Sequence, residues 1–224
     1  IYYVGVLLLS SAKEAPLFLF FALIGHGDRL GGRSGRRGIP RLGRQAAHRN
    51  HHLQRKQQSS EVPIELIIKS TPSSMHSFYE LSKKISDEKF CLTTVDTIFR
   101  EKEFAAFIEE FKQTQLDGYM AVTDFIDDEK PLYISTDARL NITGFHDTAN
   151  PECKFISGGI YCLTQAAIRT LEGCMEKGIS RMRNFQRQLV TDGLHLKAYP
   201  FHKIVDVDHA GDIIKAEAFL NGAD

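Results

Sequence analysis

The segment Leu92-Thr93-Thr94-Val95-Asp96-Thr97-Ile98-Phe99 decides the fold, because it predicts a buried β-strand with one carboxylate near its C-terminal end. Its apolar and β-branched residues are typical of a strand inside a sheet. Packing does not explain Asp96, since an isolated buried carboxylate is costly. In open α/β sheets ligands bind beyond the carboxyl ends of strands, so Asp96 lies where a cation or phosphate would arrive. The alternative is that Asp96 caps a helix starting near Glu101.

The segments on either side of this strand predict an alternation of strands and helices. Residues 62–68 predict a strand, and residues 69–74 predict a polar turn in which Ser73 or Ser74 caps the next helix. Apolar residues at helical spacing mark that helix and the one after the central strand. They are Met75, Phe78, Leu81 and Ile85 in the first helix and Phe104, Phe107, Ile108 and Phe111 in the second. The order strand, helix, strand, helix predicts a parallel sheet.

The second half of the chain predicts an antiparallel interruption and then further strands and helices. A strand over 118–125 is followed by a hairpin of 132–136 and 141–145 around Asp137-Ala138-Arg139. The strand 155–161 contains Gly158 and Gly159, which indicates either close approach of a ligand or a β-bulge. The remaining predicted elements are helices over 164–178, 184–190 and 212–220 and strands over 194–199 and 203–207. Asp208 is positioned to cap the last helix, whereas Asp206 has no local role.

Length and composition fit one α/β domain over residues 1–224, with residues 26–60 atypical. The formal net charge is zero. Four cysteines without a pairing motif indicate buried free thiols. The apolar runs 1–9 and 17–24 are each too short to span a bilayer, and a secretory signal would need a basic segment before its apolar stretch. We therefore expect a cytoplasmic protein that does not bind membranes.

Residues 26–57 carry nine basic residues against one acidic residue, Asp28, with little apolar periodicity. Gly25, Gly27 and Arg29 follow an apolar run and could turn backbone N–H groups toward phosphates, although a plain surface loop explains them too. His48, His51 and His52 have basic neighbours that would repel a cation. The arginines could contact a nucleic-acid backbone, but no aromatic residues are interleaved for base stacking, so we predict no nucleic-acid partner.

Three motifs in order resemble the nucleotidyltransferases that make activated sugars, the NDP-sugar pyrophosphorylase-like NTP transferases. Residues 92–97 resemble the family's strand that ends in an acidic motif, and residues 155–161 resemble its Asn-Ala-Gly-Ile-Tyr strand. Residues 203–217, with Asp206, Asp208 and Asp212, resemble its closing Asp-Val-Asp/Gly-Thr-Pro-Glu-Asp-Leu segment. The resemblance covers roughly residues 62–220.

By this resemblance the fold is α/β, a Rossmann-like, mostly parallel sheet sandwiched by helices with an antiparallel insertion. The activity it implies is transfer of an NMP group from an NTP to a sugar phosphate or similar small phosphate, with release of pyrophosphate. Asp96 and Asp206 would hold Mg²⁺, and Asp96 and Arg29 would be catalytic. Gly25, Gly27, Arg29 and Ser74 would bind the nucleotide, and Gly159 would lie against the acceptor.

The chain also departs from the family pattern before about Ser60. The family's Pro-Lys-Pro motif is reduced to Ile39-Pro40-Arg41-Leu42, residues 44–58 lack the expected helix and second strand, and Ser157 replaces the usual Asn. We hypothesise that part of this region is encoded in a shifted reading frame, which an intact frame on resequencing codons 20 to 62 would refute. An alternative function is that of a catalytically inactive relative that binds nucleotides or sugar phosphates.

Overall fold

The computed structural model describes residues 3–8, 18–24, 64–69, 71–94, 96–126, 130–207 and 209–222. Eleven strands and five helices lie within these residues. The strands are β1 (Tyr3–Leu8), β2 (Phe18–Ile24), β3 (Ile64–Lys69), β4 (Lys89–Thr94), β5 (Thr97–Ile98), β6 (Gly118–Thr123), β7 (Tyr133–Thr136), β8 (Ile142–His146), β9 (Cys153–Thr164), β10 (Leu196–Pro200) and β11 (Val205–Asp206). The helices are α1 (Ser74–Ser82), α2 (Glu101–Gln113), α3 (Gln165–Glu176), α4 (Met182–Thr191) and α5 (Ala210–Leu220).

The central sheet has the strand order β10-β6-β9-β4-β2-β1-β3, with the hairpin β7-β8 attached to β9. The pairings show that β2, β3, β4, β6, β7 and β10 run in one direction, whereas β1, β8 and β9 run in the other. The predicted class is therefore confirmed as an α/β fold with a mostly parallel sheet and an antiparallel insertion. The predicted hairpin around Asp137 is confirmed as β7-β8.

Strand β1 occupies the place in the sheet between β2 and β3. It pairs antiparallel with both neighbours, and Tyr3 lies opposite Ile24 on one side and Lys69 on the other. The family pattern would lead us to expect a strand within residues 44–58, between β2 and β3 in the sequence, but those residues do not predict one. Strand β1, which precedes β2 in the chain, lies between β2 and β3 instead and forms backbone hydrogen bonds with both.

Both faces of the sheet are buried at its described central strands, and alternate residues of one strand face opposite sides. On β4, Phe90 and Leu92 join the larger core with α1, α3 and α4, whereas Cys91 joins the smaller core under α2. The smaller core is a cluster of aromatic rings around Phe107. Helices on both faces explain why the central strands are nearly continuous runs of apolar residues.

The prediction that residues 92–99 form one strand is wrong. Strand β4 starts earlier and ends at Thr94, while β5 pairs antiparallel with β11 in a separate two-stranded sheet. Asp96 therefore lies between two strands. It does not cap the following helix, since the N-cap of α2 is Arg100.

The N-cap of α5 is His209, so the expectation that Asp208 caps this helix is also wrong. The His209 N–H donates to Asp212 Oδ2 at 3.0 Å, which satisfies a donor that the helix itself leaves unpaired. Asp208 lies outside the described residues.

All four cysteines are free thiols; Cys91, Cys162 and Cys174 are buried, whereas Cys153 is half-buried. Among the described residues, no helix is both long and apolar enough to cross a membrane.

Candidate functional site

Four parallel strands of the central sheet end on the same side of it, and we call this side, where their C-terminal ends lie, the ligand-binding edge. Because β2, β3, β4 and β6 run in the same direction, their last residues, Ile24, Lys69, Thr94 and Thr123, lie along one edge. Ligands of open α/β folds bind at this kind of edge. Asp96 follows β4 by two residues, so it lies at this edge.

The structure brings Asp96 and Asp206 together although 110 positions separate them in the sequence. In the ladder between β5 and β11, Asp206 lies opposite Thr97. The Val207 N–H donates to the Asp96 carbonyl at 3.0 Å, and the Thr97 hydroxyl donates to Asp206 Oδ1 at 3.0 Å. Asp96 is half-buried and Asp206 is exposed. The two acidic residues are thus neighbours across a short, hydrogen-bonded pair of strands.

Both carboxylates lie close enough to the buried hydroxyl of Tyr161 to influence its pKa. Burial, followed by the negative charges of Asp206 and Asp96, raises the pKa of Tyr161 to about 12, while hydrogen bonds with Ser157 and Gln186 act in the opposite direction. Tyr161 is 6% exposed. Tyr161, which pairs with Leu92 of β4, therefore lies near both acidic residues.

The two glycines of β9 lie in a β-bulge, which is one of the two alternatives that the sequence left open. Met120 pairs with Tyr161 and Val122 pairs with Ser157, so the strands shift register between them. Gly159 has φ +74°, and a Cβ there would lie 3.0 Å from the hydroxyls of both Thr94 and Thr97. These hydroxyls are hydrogen-bonded to each other. The backbone of Gly159 therefore packs directly against Thr94 and Thr97, which lie on either side of Asp96 in the sequence.

Left-handed backbone costs an L-residue about 1–2 kcal/mol. We expect Gly159→Ala to lower the free energy of unfolding by more than this, because the new methyl group also displaces the hydrogen-bonded hydroxyls of Thr94 and Thr97. Gly178→Ala is the matched control. Gly178 has φ +67°, and no atom of the described residues lies within 4 Å of the place its methyl group would take, so only the backbone term applies. Urea unfolding of both variants measures the difference. If both variants lose the same free energy of unfolding, close packing of Gly159 on Thr94 and Thr97 adds nothing to the cost of the substitution.

Ser74 is the first residue of α1 and is half-buried, while its neighbour Ser73 is the N-cap. The Ser73 hydroxyl pairs with His76 Nδ1 at 2.8 Å and does not bond a backbone N–H of the helix. Ser74 follows β3 and therefore lies at the same edge of the sheet as Asp96, several strands away in the sheet order. Gly25, Gly27 and Arg29 lie outside the described residues.

Three side chains at or near the site were not assigned to it from sequence: Thr97, which donates to Asp206, and Tyr161 and Gln186, which are hydrogen-bonded to each other. Thr97 follows Asp96 directly, so its position in the central segment was a usable signal. Tyr161 ends the motif that resembles the family's glycine-containing strand. Gln186 had no signal, because it lies on an amphipathic helix and 25 residues after Tyr161 in the sequence.

The donor set at this site suits a hard cation. Two carboxylates and two threonine hydroxyls are all oxygen groups, and Mg²⁺ binds through one or two carboxylates while keeping waters and substrate oxygens. In the part of the chain that the structure describes, no three His, Cys, Asp or Glu side chains come together where they could hold a metal ion. Two neighbouring acidic residues match the one or two carboxylates by which proteins hold Mg²⁺.

Three solved structures with a similar fold are nucleotidyltransferases. The inositol-1-phosphate CTP transferase from T. maritima matches with TM-score 0.57 and 16% identity, over 67% of this chain and 62% of that protein. CMP:2-keto-3-deoxy-manno-octonic acid synthetase complexed with CTP matches with TM-score 0.53 and 12% identity, over 68% and 70%. A protein described as a glucose-1-phosphate thymidylyltransferase from Bacillus anthracis, in complex with sucrose, matches with TM-score 0.56 and 13% identity, over 65% and 59%.

These matches confirm the predicted resemblance at the level of the fold, which this chain shares with the three proteins. The chain spans less than two thirds of the length of the first and third of these proteins. No protein-family model matches the sequence, and no curated protein matches it either.

Proposed function

We propose that the chain is a Mg²⁺-dependent nucleotidyltransferase that transfers an NMP group from an NTP to a sugar phosphate or similar small phosphate. The observation that carries this proposal is the adjacency of Asp96 and Asp206 at the ligand-binding edge of this fold. Support comes from the fold neighbours, whose names describe transfer from CTP or formation of nucleotide-linked products. Which NTP and which acceptor are used depends on loop geometry.

In the proposed reaction an oxygen of the acceptor phosphate attacks the α-phosphorus of the NTP, and pyrophosphate leaves. Asp96 and Asp206 would hold Mg²⁺, which when bound neutralises charge on the phosphate oxygens. Thr97 donates to one oxygen of Asp206 and so fixes the orientation of that carboxylate. Gly25, Gly27 and Arg29 would bind the triphosphate, Ser74 would lie near the nucleotide, and Gly159 would lie against the acceptor.

A Ser–His pair elsewhere in the fold does not offer a competing mechanism. Ser135 Oγ and His146 Nε2 are 2.9 Å apart, which resembles the start of a nucleophilic triad. Ser135, however, is 2% exposed, and its hydroxyl also accepts a hydrogen bond from Thr143 at 2.9 Å. Ser135 is thus buried in the β7-β8 hairpin, where its hydrogen bonds stabilise that insertion and its hydroxyl is not exposed to a substrate.

The proposal is tested by a pyrophosphate-release screen. The purified chain is incubated with each of the four NTPs and Mg²⁺ against a panel of sugar phosphates, and Asp96→Asn serves as the inactive control. We expect release that needs one NTP, one class of acceptor and Mg²⁺, and that disappears in the control. Release at the same rate in the control would contradict the assignment of Asp96 as a catalytic residue.

The second candidate is a catalytically inactive relative that still binds nucleotides or sugar phosphates. The segment Pro40-Arg41-Leu42 favours it, because arginine stands where the family's phosphate-binding lysine is expected. Thermal shift separates the two candidates, since a ligand that binds only the folded state raises the melting temperature without any turnover. Stabilisation by an NTP together with a negative release screen would support the inactive relative.

A further inference from the structure

Gln186 is a polar side chain inside an apolar core. It lies on α4, is 3% exposed, and is flanked by Phe185 and Leu189, which are 1% and 0% exposed. A buried amide is costly unless its oxygen and nitrogen are hydrogen-bonded. Helix α4 could have buried an apolar residue here, so the partners of the amide indicate what Gln186 does.

The amide of Gln186 spans the β9 bulge. Ser157 Oγ donates to Gln186 Oε1 at 3.3 Å on one side of the two glycines, and Gln186 Nε2 donates to Tyr161 Oη at 3.4 Å on the other. Ser157 and Tyr161 are the two β9 residues that pair on either side of the register shift. One side chain therefore holds both ends of the irregular segment.

The bulge in turn touches the residues around the carboxylates. Gly159 faces the hydroxyls of Thr94 and Thr97, and Thr97 donates to Asp206 at 3.0 Å. A continuous set of contacts thus runs from Gln186 through β9 to Asp206.

We propose that Gln186 is a positioning residue for the Asp96–Asp206 site, which it orients through the β9 bulge and Thr97 without touching substrate. The proposal rests on the proposed function, because the site it orients is the divalent-cation site of that function. A residue that orients metal ligands without binding the metal itself typically contributes about 10–100-fold to metal affinity. Glutamine suits the role because it both accepts from Ser157 and donates to Tyr161.

The test is a Mn²⁺ titration of the full chain, with the free ion followed by electron paramagnetic resonance. We expect Gln186→Met, which keeps the volume and removes both hydrogen bonds, to weaken Mn²⁺ binding about 10–100-fold. Gln188→Met is the matched control, since Gln188 is on the same helix and bonds Asp192 at the surface. We expect wild-type affinity in that control.

A double-mutant cycle with Tyr161→Phe separates positioning from simple destabilisation. If Gln186 and Tyr161 position the site through the same contacts, the double variant has about the same Mn²⁺ affinity as the single variant that binds Mn²⁺ less tightly. Losses of affinity that add fully would overturn the proposal. Should Gln186→Met fail to fold, Ser157→Ala and Tyr161→Phe each remove one partner of the amide, and wild-type affinity in both would likewise overturn it.

The outcomes distinguish this proposal from the proposed function. Wild-type Mn²⁺ binding and NTP turnover, combined with unchanged Mn²⁺ affinity in Gln186→Met, would overturn the role of Gln186 alone. Absence of both Mn²⁺ binding and turnover in the wild-type chain would overturn the proposed function and with it the role of Gln186.

Discussion

Asp96→Asn is expected to lower the rate of pyrophosphate release by about 10³-fold, which corresponds to about 4 kcal/mol of lost transition-state stabilisation. The amide keeps the shape of the carboxylate but loses the charge that a divalent cation needs. Asp96 is half-buried and its carbonyl already accepts the Val207 N–H, so the local backbone does not depend on the carboxylate. The fold should therefore survive the substitution.

The measurement is initial-rate kinetics at saturating NTP and acceptor, with the circular dichroism spectrum and melting temperature as checks on folding. Glu172→Gln is the control, because it makes the same carboxylate-to-amide change at an exposed position on α3. We expect this variant to turn over at the wild-type rate. Asp96→Ala should behave like Asp96→Asn. A folded Asp96→Ala variant that keeps releasing pyrophosphate would remove Asp96 from the catalytic assignment.

Phe107→Ala is expected to lower the free energy of unfolding by about 3–5 kcal/mol, the usual effect of removing a buried phenylalanine ring. Phe107 is 0% exposed. Its ring lies 5.3 Å from that of Tyr199, 5.5 Å from that of Phe201 and 6.3 Å from that of Tyr119, measured between centroids. These rings join α2 to β6 and β10, so the cavity would form where the helix packs on the sheet.

Urea unfolding at constant pH measures this loss. Phe104→Ala is the control, since Phe104 is on the same helix but only half-buried, and its loss should be clearly smaller. Equal losses in the two variants would mean that the complete burial of the Phe107 ring does not add to its contribution.

The elements set by local pattern could be predicted from the sequence. Helices α1, α2 and α3 follow from apolar residues at helical spacing, and the β7-β8 hairpin follows from the turn at Asp137. The small sheet formed by β5 and β11 could not be predicted, because each strand has two residues and the pairing joins segments more than 100 positions apart. The assignment of residues 92–99 to one strand failed for the same reason.

The candidate site was predictable only in part. A carboxylate without a local packing role pointed to Asp96 and Asp206, and the structure makes them neighbours. Whether they bind a metal remains a prediction. The supporting residues were not predictable, since Tyr161 and Gln186 meet only after α4 packs on the sheet. A buried glutamine on an amphipathic helix looks like any other polar residue until its partners are known.

The most direct test of the whole account is the number of Mn²⁺ ions bound by the wild-type chain, Asp96→Asn and Asp206→Asn, with Mn²⁺ as the probe for a magnesium site. Two carboxylates that share one ion predict a single site in the wild-type chain and loss of that same site in both variants. Undiminished Mn²⁺ binding in either variant would show that the two carboxylates do not meet at one cation.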